Sequence, residues 1–169
     1  MTGCSTPKAC RTRDYMNSTD ALRWITDFLE SNNIPYLICG GLAAIAYGAT
    51  RPLYDIDLYV PEQDFKRVCD FGREQITFGP QRFIDNHWNV EYVQFIYSQQ
   101  KIEVGSSQNI QIFDTSEQRW DRQVPDFNRY ENIRVLGTTV RVMGKQSLID
   151  YKRKLNRQVD RLDIEQITE

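Results

Sequence analysis

Histidine is nearly absent from this chain. The single residue, His87 among 169, has no second imidazole to work with, so a metal centre built on several histidines is excluded and His87 reads as a loop or surface residue. Cysteine is present but unpatterned. Cys4, Cys10, Cys39 and Cys69 match neither a zinc knuckle nor a Cys-x-x-Cys redox pair. Cys39 lies in an apolar run and Cys69 in an amphipathic segment, so both are expected as buried free thiols, which points to a reducing, cytoplasmic compartment. No run is long and apolar enough to cross a bilayer. The first sixteen residues, MTGCSTPKACRTRDYM, lack the apolar middle of a signal peptide and are expected as a loose leader before a single domain over 17–169. There is no excess of positive charge: the formal net charge is -2, which argues against a broad grip on long nucleic acid. Internal repeats and low-complexity tracts are also missing.

What remains is the composition of an ordinary globular domain, 40% hydrophobic, 26% charged and 12% aromatic, enough for a real core. Ala21, Leu22, Ile25, Phe28 and Leu29 recur at helical spacing behind the capping candidates Ser18 and Thr19, predicting a helix over 17–31. Pro35 then forces an extended segment, and Tyr36–Cys39 reads as a buried strand. Gly40-Gly41 breaks it before a short helix from Leu42 to Tyr47, and Tyr54–Val60 reads as a second strand with a helix after Pro61. Val90–Tyr97 and Lys101–Val104 form one expected hairpin, with Ile110–Phe113 extending the sheet. Ile133–Leu136 and Thr139–Val142, about Gly137-Thr138, form another. One closing helix is expected over about 147–167, striped by Leu148, Tyr151, Leu155, Val159 and Leu162. The class is α+β, a sheet flanked by helices with a helical C-terminus.

The stretch that carries chemistry is YLICGGLAAIAYGATRPLYDIDLYV, residues 36–60. Strand side chains alternate faces, so Asp55 and Asp57 point one way while Ile56 and Leu58 enter the core. Two carboxylates crowded on one face repel each other and are costly to desolvate. A shared divalent cation resolves both problems, and Mg²⁺, or Mn²⁺ in its place, takes such hard oxygen ligands together with substrate phosphates. Gly40 and Gly41, between a strand and a helix, let a ligand approach the backbone and leave N–H groups for phosphate. Arg51, just upstream of the pair, is equally suited to a phosphate or to a structural carboxylate.

Together these residues resemble the nucleotidyltransferase superfamily of polymerase-β-like fold: an apolar strand ending in Gly-Gly, a short helix, then acidic-x-acidic on the next strand. The small antibiotic nucleotidyltransferases and the minimal nucleotidyltransferases of toxin–antitoxin pairs are similar over this region. The run Leu148-Ile149-Asp150-Tyr151-Lys152, after the second hairpin, is similar to the C-terminal half of bacterial members. The resemblance implies a mixed-sheet nucleotidyltransferase fold. It also implies transfer of a nucleoside monophosphate from a nucleoside triphosphate to a hydroxyl, with release of pyrophosphate. It implies a third carboxylate on a later strand, for which Glu103 is favoured as the second arm of the hairpin and Glu91 stays open. Asp55, Asp57 and Glu103 would then be the catalytic and metal-binding set, with Gly40, Gly41, Arg51 and Lys152 meeting the nucleotide. Arg153, Arg157 and Arg161 share another face of the expected helix and are poorer candidates. Leu53 departs from the family, where Thr is frequent.

The acceptor is open, with a small molecule or a protein favoured over long nucleic acid. Trp88, Trp120 and Tyr130 are weighed as pocket aromatics and given no role. A homodimer or a small helical partner would fit a chain of this size. Two rival readings remain: a binding module or toxin–antitoxin component with little catalysis of its own, and a stray Asp-x-Asp in an unrelated α+β domain.

Overall fold

The structure, a computed structural model, describes residues 7–169, with side chains from Tyr15 onward. The first helix, α1 (Pro7–Ser31), begins ten residues before the expected start, so the later part of the expected leader continues it; the remainder, and the side chains of Cys4 and Cys10, lie outside the described residues. Its stripe is the predicted one: Ala21, Leu22, Ile25 and Leu29 are fully buried. Asn33, at φ 53°, takes the left-handed conformation that closes the helix, and the Ile34 N–H donates back to the Leu29 carbonyl.

The chain then lays down β1 (Leu37–Cys39), α2 (Gly40–Ala46), β2 (Asp55–Val60) and α3 (Glu62–Phe71). A long pair follows, β3 (Ile76–Ile84) and β4 (Trp88–Tyr97), and then β5 (Gln100–Ser106), β6 (Ile110–Asp114) and β7 (Arg119–Gln123). The last hairpin is β8 (Tyr130–Val135) and β9 (Thr138–Met143), and two helices, α4 (Lys145–Leu155) and α5 (Gln158–Thr168), end the chain. The described strands form one mixed sheet in the order β7-β6-β4-β5-β2-β1-β9-β8, with β3 added to β4. Pairing is parallel for β2 with β5 and for β1 with β9, and antiparallel elsewhere.

Alternation on the central strands divides the sheet into two faces. Ile56 and Leu58 of β2 lie in register with Ile102 and Val104 of β5, which face Phe95 and Val93 of β4; all six are buried. Trp24 of α1 sits edge-on to Phe95 and stacks on Phe71 of α3, and Phe71 stacks on Phe28. Burying an aromatic ring or a large aliphatic side chain contributes about 1.5–3 kcal/mol, so this face anchors the sheet. Asp55, Asp57, Lys101 and Glu103 necessarily occupy the other face.

Three elements differ from expectation. β3 was not anticipated: Gly79-Pro80 interrupts its alternation, and the register with β4 shifts on both sides of Phe78. β7, the polar edge strand RWDRQ, carries no hydrophobic alternation to betray it. The single closing helix is in fact two, because Asn156 adopts φ 50° and ends α4 in the left-handed conformation.

Candidate active site

Register builds the centre of the site. Asp55 pairs with Lys101 and Asp57 with Glu103, so alternation and parallel pairing put three carboxylates on one patch of sheet. Ligand oxygens of Asp55, Asp57 and Glu103 all lie within 4.8 Å of one another, each side chain half-buried. The carboxylate that the sheet brings beside the pair is Glu103. Glu91 lies on β4 opposite Arg82 of β3, one residue out of phase with Tyr92 and Gln94, and faces away from the pair. A third carboxylate thus lies within reach of the pair, whereas its absence would have favoured a stray structural Asp-x-Asp.

Lys101 completes the patch. Its Nζ stands 3.1 Å from Asp55 Oδ2 and 3.2 Å from Glu103 Oε1. Burial pulls this ammonium down, but the charges of Glu103 and Asp55 outweigh it and raise its pKa on balance. Burial, followed by the charges of Asp55 and Glu103 and a hydrogen bond with Glu103, pushes the Asp57 carboxyl well above the ordinary range, with Lys101 acting in the opposite sense. The patch thus carries more negative charge than its surroundings neutralise. Three oxygen donors at this spacing, under-compensated and partly desolvated, suit a hard divalent cation.

Gly40 is what makes the β1–α2 junction fit. It adopts φ 62°, and a Cβ there would collide with the Asp57 carboxylate. Its N–H donates to the Tyr151 hydroxyl at 2.6 Å, tying the junction to α4. A Cβ at Gly41 would lie 3.2 Å from the Arg51 guanidinium carbon.

The remaining predicted residues belong to a buried ionic cluster between α4 and α5. Lys152 is 1% exposed, and its Nζ donates to Asp163 Oδ2 at 2.9 Å and Asp160 Oδ1 at 3.3 Å. Arg51 donates to Asp163 Oδ2 at 2.8 Å. Arg157, passed over in the sequence because a single helix would have turned it away, donates to Asp160 Oδ2 at 2.7 Å and lines the same cavity as Lys152. The break at Asn156 resets the helical phase and brings Arg157 in; an Asn followed by renewed periodicity was the available signal. Arg153 pairs loosely with Asp150 and Arg161 with the Asn156 carbonyl, both in exposed positions.

A cavity of about 410 Å³ opens over the carboxylates. Its lining includes Gly40, Gly41, Arg51, Lys152 and Arg157, and the aromatic and aliphatic residues Phe83, Trp88, Val90 and Tyr92 of β3 and β4. Tyr59 and Gly105 form part of its floor; glycine is required there, since a Cβ at Gly105 would lie 2.8 Å from the Tyr59 ring. Trp88, given no role from the sequence, is in the wall, 6.1 Å from the Tyr151 ring centroid, whereas Trp120 and Tyr130 are not among the lining residues. Cys39, at the cavity's base, and Cys69 are free and buried, as expected. No described helix is long and apolar enough to cross a membrane.

No protein-family model and no curated protein sequence matches the chain. Solved structures do. The Thermotoga maritima protein TM1012, a nucleotidyltransferase by assignment, superposes with a TM-score of 0.68 at 17% identity, over 82% of this chain and 84% of its own. The lincosamide antibiotic adenylyltransferase LnuA, in its lincomycin-bound form, gives 0.58 at 13% identity over 88% and 94% of the two chains. ANT(2'')-Ia, in complex with adenylyl-2''-tobramycin, gives 0.56 at 14% identity over 89% and 87%. Strand order, the glycine junction and these superpositions agree: the chain has the nucleotidyltransferase fold, in a form like that of LnuA and ANT(2'')-Ia.

Proposed function

We propose that the protein is a nucleotidyltransferase that moves a nucleoside monophosphate from a nucleoside triphosphate to the hydroxyl of an acceptor, with Mg²⁺ as cofactor and Mn²⁺ able to replace it. The observation that carries this reading is the convergence of Asp55, Asp57 and Glu103 at the floor of a cavity wide enough for a nucleotide. The likeness to LnuA, an adenylyltransferase, and to ANT(2'')-Ia, bound to adenylyl-2''-tobramycin, supports the same chemistry.

In this reading Asp55, Asp57 and Glu103 hold the metal, which supplies charge stabilisation at the phosphoryl oxygens. Arg51, Lys152 and Arg157 outnumber their partners Asp160 and Asp163, so this end of the cavity has one surplus positive charge to draw a triphosphate. Gly40 and Gly41 keep the backbone flat enough for the phosphates to pass. Glu103, on the strand nearest β4, accepts the proton of the acceptor hydroxyl. The hydroxyl oxygen bonds to the α-phosphorus as the bond to the β-phosphate's bridging oxygen breaks, and pyrophosphate leaves with that electron pair. Geometry of this kind acts chiefly through positioning and charge.

One observation favours the rival reading, a binding module or toxin–antitoxin component with little catalysis: Lys101 already bridges two of the three carboxylates. A homodimer or small helical partner belongs with that reading. Calorimetry of ATP, GTP, CTP and UTP with Mg²⁺, on the wild type and on Asp55→Ala/Asp57→Ala, separates the two. Metal-dependent binding of a triphosphate that the double variant loses supports the enzyme. A folded wild type that binds none of the four favours the module.

A further inference from the structure

The two sides of the cavity differ in chemistry, and the difference bears on the acceptor. On the α2–α5 side the three lining cations Arg51, Lys152 and Arg157 share two carboxylates, Asp160 and Asp163. On the β3–β4 side the wall is Phe83, Val90, Tyr92 and Trp88, with no charged side chain. Phe83 lies in register with Val90, and Tyr92 with Gly105, so these side chains share the face that carries Glu103. The wall's rings pack on one another and on Phe78: Tyr92 stacks on Phe78 at 5.1 Å and meets Phe83 edge-on at 5.8 Å. Its rings are therefore held as fixed surfaces. Among the described residues, the only carboxylates lining the cavity are Asp55, Asp57 and Glu103, all three committed to the reaction centre. A polycationic acceptor would find no spare anion, and its ammonium groups would have to leave water against aromatic and aliphatic surface.

We propose that the acceptor is a small hydroxyl compound with a flat or apolar face and no cluster of positive charges, held against the Phe83–Trp88–Tyr92 wall. The proposal rests on the nucleotidyltransferase reading for its chemistry, but the wall's preference is measurable without nucleotide. Stacking on fixed rings supplies the affinity, and Glu103, at the wall's foot, meets the hydroxyl.

The test is calorimetric titration of 4-methylumbelliferyl glucoside, lincomycin and tobramycin into the full chain, without and with the preferred Mg²⁺–nucleoside triphosphate. It is repeated on Phe83→Ala/Tyr92→Ala and on Trp88→Leu. The expected result is binding of one or both of the first two probes, weakened more than tenfold in each variant, while triphosphate affinity stays within twofold of wild type. The conservative Tyr92→Phe variant should retain probe binding. Tobramycin as the tightest of the three, or no binding of either flat or apolar probe, overturns the proposal. So does a loss confined to triphosphate affinity in the wall variants, which would assign the wall to the nucleobase. Failure of the nucleotidyltransferase reading itself shows separately, as probe binding without any triphosphate binding.

Discussion

Gly40→Ala isolates the link between backbone geometry and the carboxylate patch. Two effects add at this position. The first is conformational: φ 62° places the residue in the left-handed region, where a side chain costs about 1–2 kcal/mol. The second is steric: the new Cβ would overlap the Asp57 carboxylate, and forcing extra volume into a packed site costs about 1–3 kcal/mol more. Gly137 supplies the control. It sits at φ 73° in the β8–β9 turn with nothing within 4 Å of an added Cβ, so Gly137→Ala carries the first cost without the second. The expected loss is about 1–2 kcal/mol for Gly137→Ala and about 2–5 kcal/mol for Gly40→Ala. For a chain of this length that is about 2–4 °C of melting temperature per kcal/mol. Because the clash falls on Asp57, only Gly40→Ala should also weaken Mn²⁺ binding, by tenfold or more. The assay is urea denaturation paired with Mn²⁺ calorimetry on all three proteins. Equal destabilisation of the two variants, with Mn²⁺ affinity unchanged in both, would refute the claim that Gly40 is kept free of a side chain by Asp57.

Two further outcomes follow from the charges. Lys101→Met removes a cation that competes for the carboxylates through two pairs; at about 0.2–1 kcal/mol each, Mn²⁺ affinity in calorimetry should rise about twofold to thirtyfold, and an unchanged or weaker affinity would show that Lys101 assists the metal. Asp163→Ala leaves buried Lys152 short of a partner and frees Arg51, so chemical denaturation should show a loss of about 3–5 kcal/mol. Asp160 adds a pH signature. Burial raises its carboxyl, but Arg157 and Lys152 outweigh burial and hold it below the ordinary range. Its contribution is therefore full above the unfolded value of about 3.9 and is lost as pH falls through the depressed folded value. Asp160→Asn should flatten the stability–pH curve of the wild type in that acid window, and a curve of unchanged slope would count against the pairing.

The centre of the site was legible because local rules decide it. Alternation alone put Asp55 and Asp57 on one face, and the glycine pair marked a junction where the backbone, at Gly40, passes close to Asp57. Glu103 was reachable as the second arm of a hairpin, although the turn itself, Ser98 and Gln99 at φ 51° and 65°, uses residues that rarely adopt that conformation and so gave no turn signature. What the sequence hid depends on long-range geometry. The pairing of Lys152 with Asp160 and Asp163 required knowing that Asn156 breaks the helix and folds α5 back onto α4. The aromatic wall required β3, whose pattern is interrupted at Gly79-Pro80, and a cross-strand register that no local period encodes. Trp88 was visible as an aromatic residue, but which face it occupied was set by β4 pairing on three sides, to β3, β5 and β6.

In the proposed enzyme Asp55, Asp57 and Glu103 hold a divalent cation. Anomalous X-ray diffraction from crystals grown with Mn²⁺ and a non-hydrolysable triphosphate locates that ion directly. The expected result is an anomalous peak at the carboxylate patch, about 2.0–2.3 Å from oxygens of Asp55 and Asp57, with the Lys101 ammonium displaced from between Asp55 and Glu103. A fully occupied triphosphate with no metal peak at the patch, or a peak bound only by residues elsewhere, would contradict it.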